Sequence, residues 1–181
     1  MAFTFLAATG RAVGDSLVDP ERVEDCRSLL DSASTIKLPS DVLALSPGAT
    51  FAPGSAEGEV ASFDGDLPDG WCGLDIGAAS AATFAERLLG AATILWNGPM
   101  GAFEDERFAG GTRAVAKAAA SSDAYSVVGG GDSARALAEC GCASEISFVS
   151  TGGGASLAFL EHGDLPGLDA LRHAPNARGQ R

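Results

Sequence analysis

The sequence predicts an α/β fold: a parallel sheet with crossover helices. Three observations carry the prediction. Strand-like and helix-like runs alternate from Thr93 to Glu161. Three successive strand-like runs end in glycine-bearing loops, at Asn97, Gly129 and Gly152. Two of those loops, Gly129-Gly130-Gly131-Asp132-Ser133 and Thr151-Gly152-Gly153-Gly154-Ala155-Ser156, open directly into helix-like runs. Parallel neighbours need a long crossover, and a helix supplies it. The 181 residues, 46% of them hydrophobic, suffice for one well-buried domain. The 24 glycines and 8 prolines cluster at turns between apolar runs, as in a loop-rich globular chain.

Each element follows in order. Met1 to Ala8 reads as a short helix stopped by Gly10, with apolar residues that nothing earlier in the chain can cover. Asp19-Pro20 supplies an N-cap and a first-turn proline. Val23, Cys26, Leu29 and Leu30 follow at helical spacing, which predicts one buried face. Ile36 to Leu45 holds two short strand-like pieces around Pro39-Ser40-Asp41. Ser46 to Gly70 is rich in Gly, Pro, Ser and acid, a long surface excursion with room for a small hairpin. Trp71 to Gly77 is apolar again. Ser80 is expected to cap a helix to about Leu89, with Phe84, Leu88 and Leu89 inward.

The second half is more regular. Thr93 to Trp96 reads as a buried strand, ended by Asn97-Gly98-Pro99-Met100-Gly101. A helix over about Thr112 to Ala120 and a strand over Tyr125 to Val128 follow. Next come a helix from Ser133 to Cys140 with Gly141 as stop and a strand from Glu145 to Val149. A last helix runs to Glu161, with Gly163 as stop. Residues 1–171 form the expected domain, and 172–181 a polar tail without order.

The loops point to phosphate. A glycine-rich turn lets the backbone approach an anion, and the helix start offers free N–H groups and a positive dipole end. In an open parallel sheet such loops lie together at the carboxyl ends of the strands, where ligands bind. A tight βα turn would account for one such loop. It accounts poorly for three in a row.

Charge and cysteine content narrow the classes. A net charge of −12 argues against a nucleic-acid partner, which needs Lys/Arg clusters. The same charge means that a bound polyanion requires a metal ion or a local positive pole, and Lys37 and Lys117 are the only lysines. Cys26, Cys72, Cys140 and Cys142 lack structural zinc spacing and read as free thiols in a reducing compartment. With no basic flank at Met1 and no apolar run of ~18 residues, neither a signal peptide nor a membrane span is expected. A cytoplasmic location follows.

Gly129, Gly131 and Ala134 match a relaxed G-x-G-x-x-A dinucleotide pattern. That pattern also needs an acidic residue about 20 positions on, where Val149 and Ser150 stand. No Gly-Lys-Ser/Thr occurs, so a Walker loop is excluded. Asp132 is open to two readings, a magnesium ligand or a plain helix cap.

Trp96-Asn97-Gly98-Pro99-Met100-Gly101-Ala102-Phe103-Glu104 resembles the W-N-G-P-x-G-x-F-E signature of phosphoglycerate kinases. Phe108-Ala109, Gly111-Thr112, Val127 to Ser133 and Val149 to Ser156 continue the likeness in order. Met1 to Leu6, Gly73 to Gly77 and Leu165-Pro166-Gly167 extend it to nearly the whole chain. The resemblance implies the carboxyl-terminal, nucleotide-binding half of such a kinase. The implied fold is a Rossmann-like three-layer parallel sheet with helices on both faces, truncated at its amino-terminal edge. The family transfers a phosphoryl group between 1,3-bisphosphoglycerate and ADP, giving 3-phosphoglycerate and Mg-ATP.

By the same resemblance Gly73 and Leu74 line the adenine pocket, with Pro99 near the base and Asn97 near ribose and phosphates. Glu104 holds ribose hydroxyls. Gly129, Gly130, Gly131, Asp132 and Ser133 take the phosphates, with Asp132 on Mg²⁺. Gly152, Gly153 and Gly154 point N–H groups at the transferring phosphoryl, the catalytic role. The family's basic amino-terminal domain, which takes the phosphoglycerate, is not in this sequence. Neither is its G-G-A-K-V-S-D-K segment with a phosphate-contacting lysine, so Met1 resembles an internal methionine. Phe148 stands where the family has His, and the stretch from Ser121 to Tyr125 is short. The implied partners are a nucleotide and, only with the missing domain, phosphoglycerate; the implied state is a monomer, inactive alone. A non-catalytic nucleotide-binding fragment and an unstable remnant are the alternatives.

Overall fold

A computed structural model describes residues 1–55 and 57–173 of the chain. Helix α1 spans Ala2–Ala8, and the chain reverses after it at Gly10. The apolar residues of α1 do have a partner. Leu6, 2% exposed, packs with Val42, Ala44 and Leu67, and Phe3 joins the same cluster. The partner comes from later in the chain, which a reading from the start does not see. Asp19 Oδ1 accepts from Glu21 N (3.1 Å) and starts a 3₁₀ turn, Pro20–Arg22, that leads into α2, Val23–Ser32. The buried face of α2 is narrower than its spacing suggests: Cys26 is buried, but Leu29 is exposed.

Strand β1, Val42–Leu45, is the only strand between Ile36 and Leu45. It pairs antiparallel with β2, Val60–Phe63, and β3, Cys72–Ile76, in the order β2-β1-β3. The long excursion therefore carries one strand of an antiparallel sheet, the first of two. Helix α3, Ala78–Leu89, is not capped by Ser80, which lies inside its first turn. The cap comes from Asp41, whose Oδ2 accepts from Ala79 N (3.0 Å) and Oδ1 from Ser80 N (2.7 Å). Ser80 Oγ in turn accepts from Ser40 N (2.9 Å) and Asp41 N (3.1 Å). Phe84 and Leu88 face the core as expected, while Leu89 is exposed.

The second sheet is parallel. Strands β4 (Thr93–Asn97), β5 (Tyr125–Gly129) and β6 (Phe148–Ser150) lie in the order β4-β5-β6. Helices α4 (Gly110–Ser121), α5 (Gly131–Cys140) and α6 (Gly153–His162) follow the three strands, as the alternation predicts. Gly141 and Gly163 end α5 and α6 in the left-handed conformation. Strand β6 is shorter than expected because Ala143–Glu145 forms a 3₁₀ turn. Helix α7, Pro166–His173, takes up Arg172 and His173 from the expected tail, and residues 174–181 lie outside the described part.

The two faces of the parallel sheet differ. On one, Ile94, Trp96 and Val128 pack with Val115 and Ala116 of α4 and Ala136 and Leu137 of α5. On the other, Leu95, Val127 and Phe148 line an apolar groove of about 630 Å³ beside α6 and α7. Strand β4 is thus buried on alternate residues and not throughout: Leu95 is 45% exposed. Phe148, 55% exposed on the open side, is not the core residue its apolar character suggests. Parallel sheets are ordinarily covered on both faces.

Candidate functional site

The three strand-end loops meet. Gly130 N donates to Ser150 O (2.9 Å), tying the end of β5 to the end of β6. Gly98 N donates to the Ser133 Oγ at 2.7 Å, tying the loop after β4 to the start of α5. Asn97 Nδ2 donates to Gly153 O at 3.4 Å, tying β4 to the start of α6. The approach is close enough to require glycine. A Cβ on Gly153 would lie 2.7 Å from Gly130 Cα and 3.1 Å from Asn97 Nδ2. Gly98 and Gly130 also have φ of +90° and +98°, which L side chains rarely adopt. Helices α5 and α6 therefore begin near one another, each with the free N–H groups of a first turn.

The signature loop is pinned at both ends. Trp96, buried beneath it, donates from Nε1 to Gly98 O at 2.6 Å. Thr112 Oγ1, at the start of α4, accepts from Met100 N (3.1 Å) and Gly101 N (3.3 Å). Ala102 N donates to Leu74 O at 2.8 Å, which brings β3 of the antiparallel sheet against the same loop. Gly73, next along β3, is buried under the Phe3 ring, and its N–H goes to Ser16 Oγ at 2.9 Å. Pro99 is exposed at the rim.

Asp75 is a residue that the sequence reading did not single out. It is 3% exposed; Oδ2 accepts from Gly111 N (2.8 Å) and Oδ1 from Ile76 N (2.8 Å). A Cβ on Gly101 or Gly111 would strike its carboxylate, so both glycines make room for it. Burial pushes Asp75 up to about 6, against the pull of the two N–H donors.

The side chains assigned to phosphate and ribose divide in two. Asp132 is exposed in the first turn of α5. Ser133 is fully buried, and its hydroxyl accepts from Gly98 N. Glu104 pairs with Arg135 of α5, Oε1 to Nη2 at 2.7 Å. Nothing in the local pattern around Arg135 announces this pair, because its partner lies 31 positions away. Among the described residues no group of three or more His, Cys, Asp or Glu is gathered for a metal ion. No helix of the described part is long and apolar enough to cross a membrane.

This architecture and these loops have known counterparts. The sequence model of the family described as "Phosphoglycerate kinase" matches residues 1–163. The chain belongs to the phosphoglycerate kinase family. Its sequence is 53% identical over 173 residues to the phosphoglycerate kinase of Frankia alni, covering 94% of this chain and 42% of that protein. The enzyme of Picosynechococcus is 47% identical, with 96% and 44% covered. The solved phosphoglycerate kinase of Coxiella burnetii superposes with a TM-score of 0.83 at 39% identity, covering 94% of this chain and 44% of that one. That of Pyrococcus horikoshii gives 0.78 at 34% identity. The chain thus carries the fold of an enzyme family of kinases, and it spans less than half the length of these relatives.

Proposed function

We propose that this chain binds magnesium-complexed ADP or ATP and forms the nucleotide half of a phosphoglycerate kinase-type phosphotransferase. The observation that supports this reading best is the contact of three strand-end loops, with two helix starts near one another. Gly73 and Leu74 wall the adenine, with Pro99 beside the base. Asn97 lies toward the ribose and phosphates, and Glu104 accepts from ribose hydroxyls. The backbone at Gly129, Gly130, Gly131, Asp132 and Ser133 cradles the phosphate tail. Gly152, Gly153 and Gly154 direct N–H groups at the phosphoryl in flight. Such a transfer asks the protein mainly for positioning and for fixed dipoles at the developing charge.

In the glycolytic direction a β-phosphate oxygen of ADP bonds to the phosphorus of 1,3-bisphosphoglycerate. The bond from that phosphorus to the acyl oxygen breaks, and 3-phosphoglycerate leaves as a carboxylate. On this reading the acyl-phosphate side falls to an amino-terminal domain of the kind the resemblance implies, and the chain by itself is expected not to turn over. Magnesium, when bound, neutralises part of the phosphate charge. Asp132 is the residue to hold it: its carboxylate is exposed at the helix start, and Mg²⁺ favours one or two carboxylates plus phosphate oxygens. The same reading makes this a cytoplasmic protein without nucleic-acid partners, in keeping with its charge of −12.

Titration calorimetry of the folded chain with Mg-ADP tests this. Binding is expected, and Asp132→Ala should weaken it roughly tenfold, the effect of losing about 1.4 kcal/mol. Equal affinity in the variant removes Asp132 from the metal. A folded chain that takes no nucleotide overturns the reading, and ATP formation by the chain alone overturns its inactivity.

A further inference from the structure

The phosphate reading leaves an acidic chain in need of a positive group near its ligand. The structure puts one beside Glu104. Arg135 lies three residues past Asp132 on α5, and its Nη2 is 2.7 Å from Glu104 Oε1. Its guanidinium carbon stands 4.5 Å from the centre of the Phe103 ring, and Phe103 is itself buried. Its Nε is 3.7 Å from Glu139 Oε1, one turn on. The guanidinium plane is thus set by a fixed ring beneath it and by carboxylates on two sides.

An exposed ion pair of this kind adds little to stability, because water screens both charges. Its consequence is geometric. A free glutamate loses rotamer entropy when it must hold one orientation for a ligand. A planar fork stacked on an aromatic ring removes that freedom in advance. The pair engages one carboxylate oxygen and leaves the other as an acceptor.

We propose that Arg135 is a positioning residue that presents Glu104 to the ribose hydroxyls and thereby sets the preference for nucleotides that carry them. The inference rests on the reading of Glu104 as the ribose acceptor. It assigns Arg135 no contact with the reacting atoms.

The test compares Mg-ADP with Mg-2′,3′-dideoxy-ADP by calorimetry on the full chain and on Arg135→Ala and Arg135→Lys. The native chain should prefer ADP about tenfold or more, the range for a hydrogen bond to a charged acceptor. Arg135→Ala should bind the dideoxy nucleotide as the native chain does and lose most of the preference for ADP. Arg135→Lys, which keeps the charge and loses the fork, should not restore it. Urea midpoints should stay together, which separates positioning from folding. The proposal is overturned if Arg135→Ala keeps the full preference, or if both nucleotides weaken equally. A native chain that binds ADP without preference overturns the ribose role of Glu104, and one that binds neither nucleotide overturns the nucleotide reading itself.

Discussion

Replacing Gly153 by alanine probes the junction on which the site depends. A Cβ there would meet Gly130 Cα at 2.7 Å, Gly130 N at 2.9 Å and Asn97 Nδ2 at 3.1 Å. Ordinary carbon contacts are about 3.5–4.0 Å, so the loops must part by roughly 1 Å. Two of the three opposing atoms are backbone and cannot rotate away. Overpacking of this kind costs about 1–3 kcal/mol. Alanine returns up to ~1 kcal/mol through helix propensity. The net expectation is a loss of about 1–2 kcal/mol, with a weaker grip on nucleotide because the bonds Asn97 Nδ2 to Gly153 O and Gly130 N to Ser150 O both stretch. Gly154 is the internal control, since nothing lies within 4 Å of a Cβ built on it. Gly154→Ala should leave stability unchanged or raise it by up to ~1 kcal/mol. Urea unfolding followed by circular dichroism measures both. Coincident midpoints for the two variants would refute the claim that the loops are in contact.

Two buried carboxylates give predictions of opposite sign. Burial of Asp41 opposes its charge, but donors from Ser80 and Ala79 outweigh that and hold its pKa below the ordinary value. Its contribution is therefore present above the unfolded pKa and lost as pH falls through the folded one. Asp41→Ala should cost about 2 kcal/mol at pH 7, from the lost cap of α3, and the gap to the native chain should narrow in acid. For Asp75 the folded pKa is raised, so its contribution is present below the unfolded value and lost as pH rises through about 6. The displacement from 3.8 to about 6 corresponds to roughly 3 kcal/mol. Native stability measured by urea titration should carry this downward term between about pH 4 and 6, and Asp75→Asn should lack it.

The parallel half of the fold was legible because its signals are local. Each strand-like run leads into a glycine-bearing loop, and after β5 and β6 the next helix begins within a few residues. The convergence of the loops follows from topology once the strands are parallel. What escaped depends on distant partners. Strand β2 is four residues in an acidic, glycine-rich stretch, and it exists because Val60–Phe63 pairs with Val42–Leu45. Ser80 has the chemistry of a cap, but Asp41, just before β1, accepts from the first N–H groups of the helix instead. Leu6 finds its core only after Val42 and Leu67 have folded over it. Arg135 belongs to no motif and Asp75 has no assigned role within Gly73 to Gly77, and only the approach of α5 to the signature loop and of β3 to α4 gives them partners.

The unequal sides of the parallel layer govern how this molecule behaves in a tube. Leu95, Phe148, Phe159 and Leu160 lie against water on one side, so hydrocarbon there is hydrated at every dilution. Kosmotropic salts such as sulfate, which strengthen burial, will push such chains toward one another, and a mild detergent will hold them apart.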